Sequence, residues 1–195
     1  MDLQTITAAI QDLAVKSMQQ VLDDWDMQVG FETELNSSES AMIQDLADWQ
    51  PNWNQDWTAL MRTRIEGQVE GPVHLIFPLD LVFELLREVL GLPQNLERTA
   101  GDPLKEIELE AFQEMMNLLC GSFNSTLSEL DQTLRVSQSV EHLVISQVEP
   151  EVNDADGLPH RGLGVAMTVT HKDKDYQVLE ILPVPLARSI AASLA

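Results

Sequence analysis

One predicted helix carries residues whose types and spacing suit chemistry. Four polar or small residues recur at positions i, i+4, i+7 and i+11 and share one face of that helix: Glu110, Glu114, Asn117 and Gly121. Carboxylates accept hydrogen bonds from cations, and a carboxamide both donates and accepts without changing its protonation. This face therefore offers the groups that a contact with another protein, or with water, requires.

The plain alternative is a solvated stripe on an acidic helix, which is the commoner interpretation of such a pattern. Two of the residues weaken that alternative. Asn is a poor residue for a helix interior, and a Gly in that place costs roughly 1 kcal/mol relative to Ala. Gly121 follows Asn117 by about one turn and would let the backbone of another protein come close.

The remaining chemistry-bearing residues favour structural roles. The four histidines are far apart, and none has a metal-ligating neighbour at helical spacing: His74, His142, His160 and His171. Cys120 has no basic residue near it on the helix, so it is predicted to be a small buried hydrophobe. The sequence thus predicts neither a metal site nor a cofactor site on this chain.

Hydrophobic periodicity predicts the elements that must position the helix. The first half of the chain is predicted as a helix over 1–24, a strand over 27–35, a mostly irregular tryptophan-rich insertion over 36–57, a β-hairpin over 58–77 and a helix within 78–93. The second half is predicted as a long helix over 104–130, a strand over 135–146, an acidic loop over 147–162, two strands over 163–171 and 176–183 joined by a turn, and a helix over 185–195. Tryptophans of the insertion are expected to pack onto the sheet.

Both halves follow the plan helix, strands, helix, although no residue-level repeat is visible. We therefore predict a single α+β domain over 1–195, with one antiparallel sheet, a pseudo-twofold axis, and both long helices on the same sheet face. Short hairpins between the strands argue against a doubly wound nucleotide-binding sheet.

Composition limits the partners. Of the 195 residues, 32 are acidic and 11 basic, and the formal charge of -21 opposes contact with nucleic acid or an anionic membrane. The chain has one cysteine, which suits a reducing compartment, and no export or spanning segment is visible. These features predict a cytoplasmic protein.

Residues 110–127, EAFQEMMNLLCGSFNSTL, resemble the ExxN helix of the CheC, CheX and FliY family of chemotaxis phosphatases, whose fold is shared with the flagellar switch protein FliM. Residues 68–77, QVEGPVHLIF, and the helix after them are similar to the unit that precedes this motif in CheX. The opening helix also begins much as CheX does. The resemblance covers most of the chain except 36–57 and 150–160, and it is closest to CheX.

The resemblance implies a function and roles for the helix residues. It implies a phosphatase that binds a phosphorylated CheY-like receiver domain and hydrolyses its aspartyl-phosphate. Glu114 would pair with the receiver's lysine, Asn117 would orient the attacking water, and Glu110 and Gly121 would contact the partner. Magnesium would be bound by the receiver and not by this chain.

Two departures from the family pattern keep a second interpretation open. Glu110 stands where the family has Ser or Asp, and Ser139 stands where it has a proline. The alternative is therefore a non-catalytic, FliM-like interaction module on the same fold. Retention of Glu114 and Asn117 favours the enzyme, and the missing proline favours the module.

Two expectations concern site number and assembly. Residues 1–30 contain no Asn, so the second Glu and Asn pair of doubled family members is absent and at most one site is expected per chain. A homodimer is expected from the resemblance to CheX, and because runs such as 71–77 or 163–171 would leave a sheet edge that needs pairing.

Overall fold

The computed structural model describes residues 2–43, 58–93, 102, 104–130, 136–146 and 162–194. The helices are α1 (Leu3–Val29), α2 (Leu79–Val89), α3 (Glu106–Leu130) and α4 (Val184–Ser193). The strands are β1 (Thr33–Ile43), β2 (Thr58–Gly67), β3 (Gly71–Pro78), β4 (Val136–Ser146), β5 (Gly162–His171) and β6 (Lys174–Pro183). Over the described ranges, no helix is both long and apolar enough to cross a membrane.

The strands form one six-stranded sheet in the order β1-β5-β6-β3-β2-β4, and every neighbouring pair is antiparallel. The predicted α+β class with a single antiparallel sheet is confirmed. The unit α1-β1-β2-β3-α2 corresponds to the unit α3-β4-β5-β6-α4. Replacing each strand by its counterpart, β1 by β4, β2 by β5 and β3 by β6 and the reverse, gives the same strand order read from the other edge. The sheet therefore has a pseudo-twofold axis.

The axis passes between the two central strands. Leu75 of β3 lies opposite Glu180 of β6. Aligning Pro78 with Pro183 also aligns Leu75 with Glu180, so the residues that face each other on the axis are symmetry mates. Residues 74–82, HLIFPLDLV, and 179–187, LEILPVPLA, then form a short repeat in which a strand ends at the proline that begins a helix. This repeat is not visible from the sequence alone, and the strand register is what aligns its two copies.

The main core lies between the sheet and the helices, and it includes both long helices, as predicted. Phe112 of α3 packs edge-on against Phe77 of β3, with ring centroids 5.9 Å apart. The alternate side chains of β6, Val178 and Leu182, point into this same core. Burying one face of each long helix against one sheet face leaves the opposite helix faces directed outward.

The long helices also contact each other through hydrogen bonds. The Ser122 hydroxyl donates to the Asp24 carboxylate at 3.1 Å, and the Thr126 hydroxyl donates to the Gln20 side-chain oxygen at 3.2 Å. The later residue of α1, Asp24, contacts the earlier residue of α3, Ser122. The two helices therefore run antiparallel.

The start of the chain differs from the prediction. α1 continues to Val29 and ends at Gly30, whose left-handed φ of 76° and N–H donation to the Asp26 carbonyl at 2.8 Å cap the helix. The strand is consequently displaced: residues 27–32, expected to begin it, precede it, and residues 36–43, expected to be irregular, belong to it. Trp49, Trp53 and Trp57 lie outside the described residues.

The sheet edges also differ from the prediction. β3 and β5, which contain the runs expected at an edge, each pair on both sides and are interior strands. Among the described strands, the edges are β1 and β4 instead. The buried pairing of β3 and β5 explains their continuous apolar character.

Candidate functional site

α3 is held to the sheet by one apolar face. The most buried side chains on that face recur at helical spacing: Phe112, Met116, Phe123 and Leu127. At its start, the Glu108 carboxylate accepts the backbone N–H of Lys105 at 2.7 Å, which satisfies one of the donors exposed at a helix N-terminus. These contacts determine which residues of α3 point outward.

A polar contact near the other end sets the rotation of α3. The Asn124 amide donates to the Gln138 carbonyl at 3.2 Å and accepts the Gln138 backbone N–H at 2.7 Å. The Gln138 side chain in turn donates to the buried Thr63 hydroxyl at 2.6 Å. Asn124 therefore links α3 to β4, and through it to β2. The sequence reasoning did not identify this role, because the spacing of seven residues places Asn124 on the same side of the helix as the exposed Asn117.

The outward face of α3 carries the candidate residues. Glu110, Glu114, Asn117 and Gly121 are all exposed, as the spacing predicted. Within the described part of the chain, no side chain forms a hydrogen bond or ion pair with Glu114 or Asn117. A Cβ added at Gly121 would meet nothing within 4 Å. The packing of the described residues therefore explains neither the carboxamide nor the glycine on this face.

Apolar side chains flank the polar groups of this face. Ile107 is 61% exposed near the start of α3, and Leu118 is 39% exposed beside Asn117. A helix face that mixes carboxylates with exposed aliphatic side chains suits a protein contact better than a contact with water alone.

The neighbouring sulfur-containing residues are inert in this geometry. Met115, Met116 and Cys120 are buried. Burial raises the pKa of the Cys120 thiol to about 12, so it is not a thiolate at neutral pH. This agrees with the role predicted for it.

α1 supplies an internal reference for α3, because the two helices bury the same pattern. Aligning Ile10 with Phe112 superposes most buried positions of the two helices; on α1 the shared ones are Ile6, Ile10, Leu13, Ala14, Ser17, Met18, Val21 and Trp25. The buried Leu22 is an exception, because it aligns with the half-buried Asn124. In this alignment Asp12, Val15 and Gln19 stand where α3 has Glu114, Asn117 and Gly121. Asp12 pairs with Lys16 at 2.7 Å, and Val15 has no polar group. Of these two helices, only α3 therefore presents an exposed Glu and Asn pair.

The histidines do not form a second site in the described part of the chain. His74 and His171 are buried, and burial lowers the pKa of His171 despite Glu88, whose carboxylate lies 3.6 Å away and opposes the shift. The side chains of His142 and His160 lie outside the described part. No group of three or more His, Cys, Asp or Glu residues in the described segments is placed to hold a metal ion.

Comparison with known proteins gives structural likeness only. No protein-family model matches the chain, and no curated protein matches it in sequence. Thermotoga maritima FliY is similar with a TM-score of 0.75 and 16% identity, over 100% of this chain and 97% of that one. FliM from the H. pylori FliG–FliM complex has a TM-score of 0.73 and 10% identity, over 98% and 100% of the two chains. CheX from Desulfovibrio desulfuricans has a TM-score of 0.52 and 11% identity, over 88% and 99%.

The chain therefore has the fold of the CheC, CheX and FliY proteins, which FliM shares. At these identities the likeness concerns the fold. The TM-scores are higher for FliY and FliM than for CheX, and they do not identify which member's activity this chain has.

Proposed function

We propose that this chain is a CheX-like phosphatase, which binds a phosphorylated CheY-like receiver domain through the outward face of α3 and hydrolyses its aspartyl-phosphate. The observation that carries the proposal is the exposure of Glu114 and Asn117 on the ExxN helix, with no partner for either among the described residues. A carboxylate and a carboxamide without internal contacts have their full hydrogen-bonding capacity available to another molecule.

Asn117 supplies the chemistry in this mechanism. Its amide accepts a hydrogen bond from water with its oxygen and donates with its nitrogen, so it can orient a water molecule for in-line attack on the phosphorus. No proton has to enter or leave the carboxamide. Phosphoryl transfer depends mainly on positioning and on neutralising charge, and the receiver's own magnesium ion would supply the charge neutralisation.

Glu114 supplies the docking contact. It lies one helical turn before Asn117 on the same face, where its carboxylate would pair with the receiver's lysine. Glu110 adds a second negative charge one turn earlier, and Gly121 leaves the backbone open to close approach. The face as a whole is complementary to a cationic and partly apolar surface.

A second function is a FliM-like interaction module without catalysis. The higher TM-scores to FliY and FliM favour it, as does the exposed Ser139 on β4 in the family's proline position. The H. pylori FliM that this chain resembles was solved with FliG bound. In this alternative α3 docks a partner and Asn117 does not act on phosphate.

A dephosphorylation assay separates the two functions. Each phospho-receiver of the host is purified, and the lifetime of its aspartyl-phosphate is measured with and without the wild-type chain. The phosphatase shortens the lifetime of at least one receiver catalytically, at substoichiometric concentration. Unchanged lifetimes for every receiver, with binding to a partner retained, would establish the module instead.

We also propose that the chain forms a homodimer through a sheet edge. β1 and β4 each pair on one side only within the described sheet, which leaves backbone donors and acceptors to be satisfied. Sedimentation at micromolar concentration should give the mass of two chains, and a monomer would contradict this assignment.

A further inference from the structure

The C-terminal end of α1 reaches the middle of α3. Gln20 contacts Thr126, and Asp24 contacts Ser122. Between the two contacts each helix advances by four residues, in opposite directions. Continuing along the same facing sides, Met27 follows Gln20 by two turns, and Leu118 precedes Ser122 by one turn. With a rise of about 1.5 Å per residue, Met27 and Leu118 arrive at nearly the same level of the helix pair.

Both of these side chains are exposed. Met27 is 78% exposed and Leu118 is 39% exposed, whereas the apolar residues on the inner faces of the same helices are buried. Leu118 directly follows Asn117 in the chain. Single exposed apolar residues are ordinary, but two at one level on the facing sides of neighbouring helices, one of them next to Asn117, are placed to contact the same partner. Methionine, which is flexible and polarisable, suits such a binding surface.

The charges around this apolar surface specify the occupant. Asp23 and Asp26 are exposed on α1 near Met27, and Glu110 and Glu114 are exposed on α3. A second copy of this chain, docked through this same surface, would bring these carboxylates against their own equivalents. The surface instead fits a partner that presents an apolar side chain surrounded by cationic groups.

We propose that Met27 and Leu118 form an apolar anchor that selects receivers carrying an apolar side chain next to their active-site lysine. The inference rests on the proposed function and adds a specificity determinant to it. α1 contributes to docking only through its last turn, while α3 contributes the charge and the chemistry. Energetically, such an anchor acts on substrate and transition state alike, so it changes binding without changing turnover.

Steady-state dephosphorylation of the phospho-receiver tests this anchor. Met27→Ala and Leu118→Ala should each raise KM about 10-fold and leave kcat within about twofold, because each removes buried contact area and touches no reacting group. In the double variant, KM should rise by less than the product of the two single increases, since both side chains contact one partner side chain. Thermal unfolding midpoints should stay near that of the wild type, because both side chains are exposed in the isolated chain.

Leu3→Ala is the matched control. Leu3 is 45% exposed on the same helix, but it lies about 36 Å from Met27 along the axis. Its KM should equal that of the wild type. If the wild type is active while Met27→Ala and Leu118→Ala have unchanged KM, the anchor is wrong and the proposed function stands. If the wild type neither binds nor dephosphorylates any receiver, both proposals are overturned.

Discussion

α1 and α3 occupy equivalent places in the two halves of the fold, and their inner faces bury the same pattern of residues. Their outer faces differ. α1 presents Asp12 already paired with Lys16, whereas α3 presents Glu114 and Asn117 without a partner among the described residues. Because packing constrains only the inner face, the outer face of either helix can change without cost to the fold. The difference is what the proposed function requires, since that function uses only one half of a nearly symmetric scaffold.

The largest expected effect comes from removing the group that α1 lacks. Asn117→Ala should slow dephosphorylation of the phospho-receiver by about 10²-fold or more, the scale seen when a positioned transition-state contact is lost. Binding of the phospho-receiver should change little, because orienting water contributes in the transition state. Single-turnover kinetics together with a binding titration would measure both quantities.

Asn124→Ala is the matched control for that substitution. It removes the same side chain from the same helix, but Asn124 contacts the Gln138 backbone, so its loss should reduce the free energy of unfolding by about 1–3 kcal/mol. Asn117→Ala should leave stability unchanged or slightly higher, since Ala is the better helix former. An Asn117→Ala variant that retains the wild-type dephosphorylation rate would show that the two helices do not differ in catalysis.

The next effect concerns the symmetry axis itself, where Leu75 faces Glu180. Glu180 is buried among apolar residues, and this burial raises its pKa from 4.5 to about 7. Glu180→Leu places the symmetry mate's residue there and should increase the free energy of unfolding above pH 7 by on the order of 3 kcal/mol. Chemical denaturation of both proteins at a series of pH values would measure the difference.

The sign follows from proton binding. Below pH 4.5 the carboxyl group is protonated in the folded and unfolded chains, so it contributes no pH dependence. Between pH 4.5 and about 7 the unfolded chain releases the proton and the folded chain keeps it, so stability falls as pH rises. Glu180→Leu should abolish that part of the decline. Parallel pH profiles for the two proteins would indicate that Glu180 is not desolvated in solution.

A smaller effect compares the carboxylates at equivalent positions of the two helices. Glu114→Ala should weaken association with the receiver about 10-fold, because a charge-assisted contact to a lysine is lost in the ground state. Asp12→Ala removes the same charge from α1 and breaks only an exposed ion pair, so it should leave association unchanged. Titrations of both variants at one ionic strength provide the comparison. If both substitutions weakened association with the receiver equally, the overall charge of the chain would determine affinity and the position of Glu114 would not.

Much of this comparison was predictable from the sequence, since regular periodicity identifies amphipathic helices and hairpins. The hairpin β2–β3, the helix after it, α3 and the outward face of α3 were all predicted. These segments combine a single apolar face with clear breakers such as Gly91, so local pattern and tertiary packing agree.

The remainder depends on contacts that a local pattern does not contain. Residues 27–35 alternate like a strand, yet packing of Trp25 against Phe31 and the cap at Gly30 extend α1 through the first of them. Residues 36–43 of β1 are mostly polar, as suits an edge strand, so their weak apolar pattern did not predict this part of the strand. The role of Asn124 depends on Gln138, which lies in another element, and the axis at Leu75 and Glu180 depends on strand register.

The smallest effect concerns the glycine that α3 has where α1 has Gln19. Gly121 lies in open space and inside a helix, so Gly121→Ala should raise the free energy of unfolding by about 1 kcal/mol. The added methyl group would still occupy the place where a partner's backbone comes closest, and affinity for the receiver should fall several-fold. Gln19→Ala on α1 should change neither quantity appreciably. Thermal unfolding and a binding titration of the two variants give the required pair of measurements. If Gly121→Ala gains stability and keeps full affinity, the partner does not approach the backbone at that position, and the docking contacts must be sought nearer to Glu110 and Glu114.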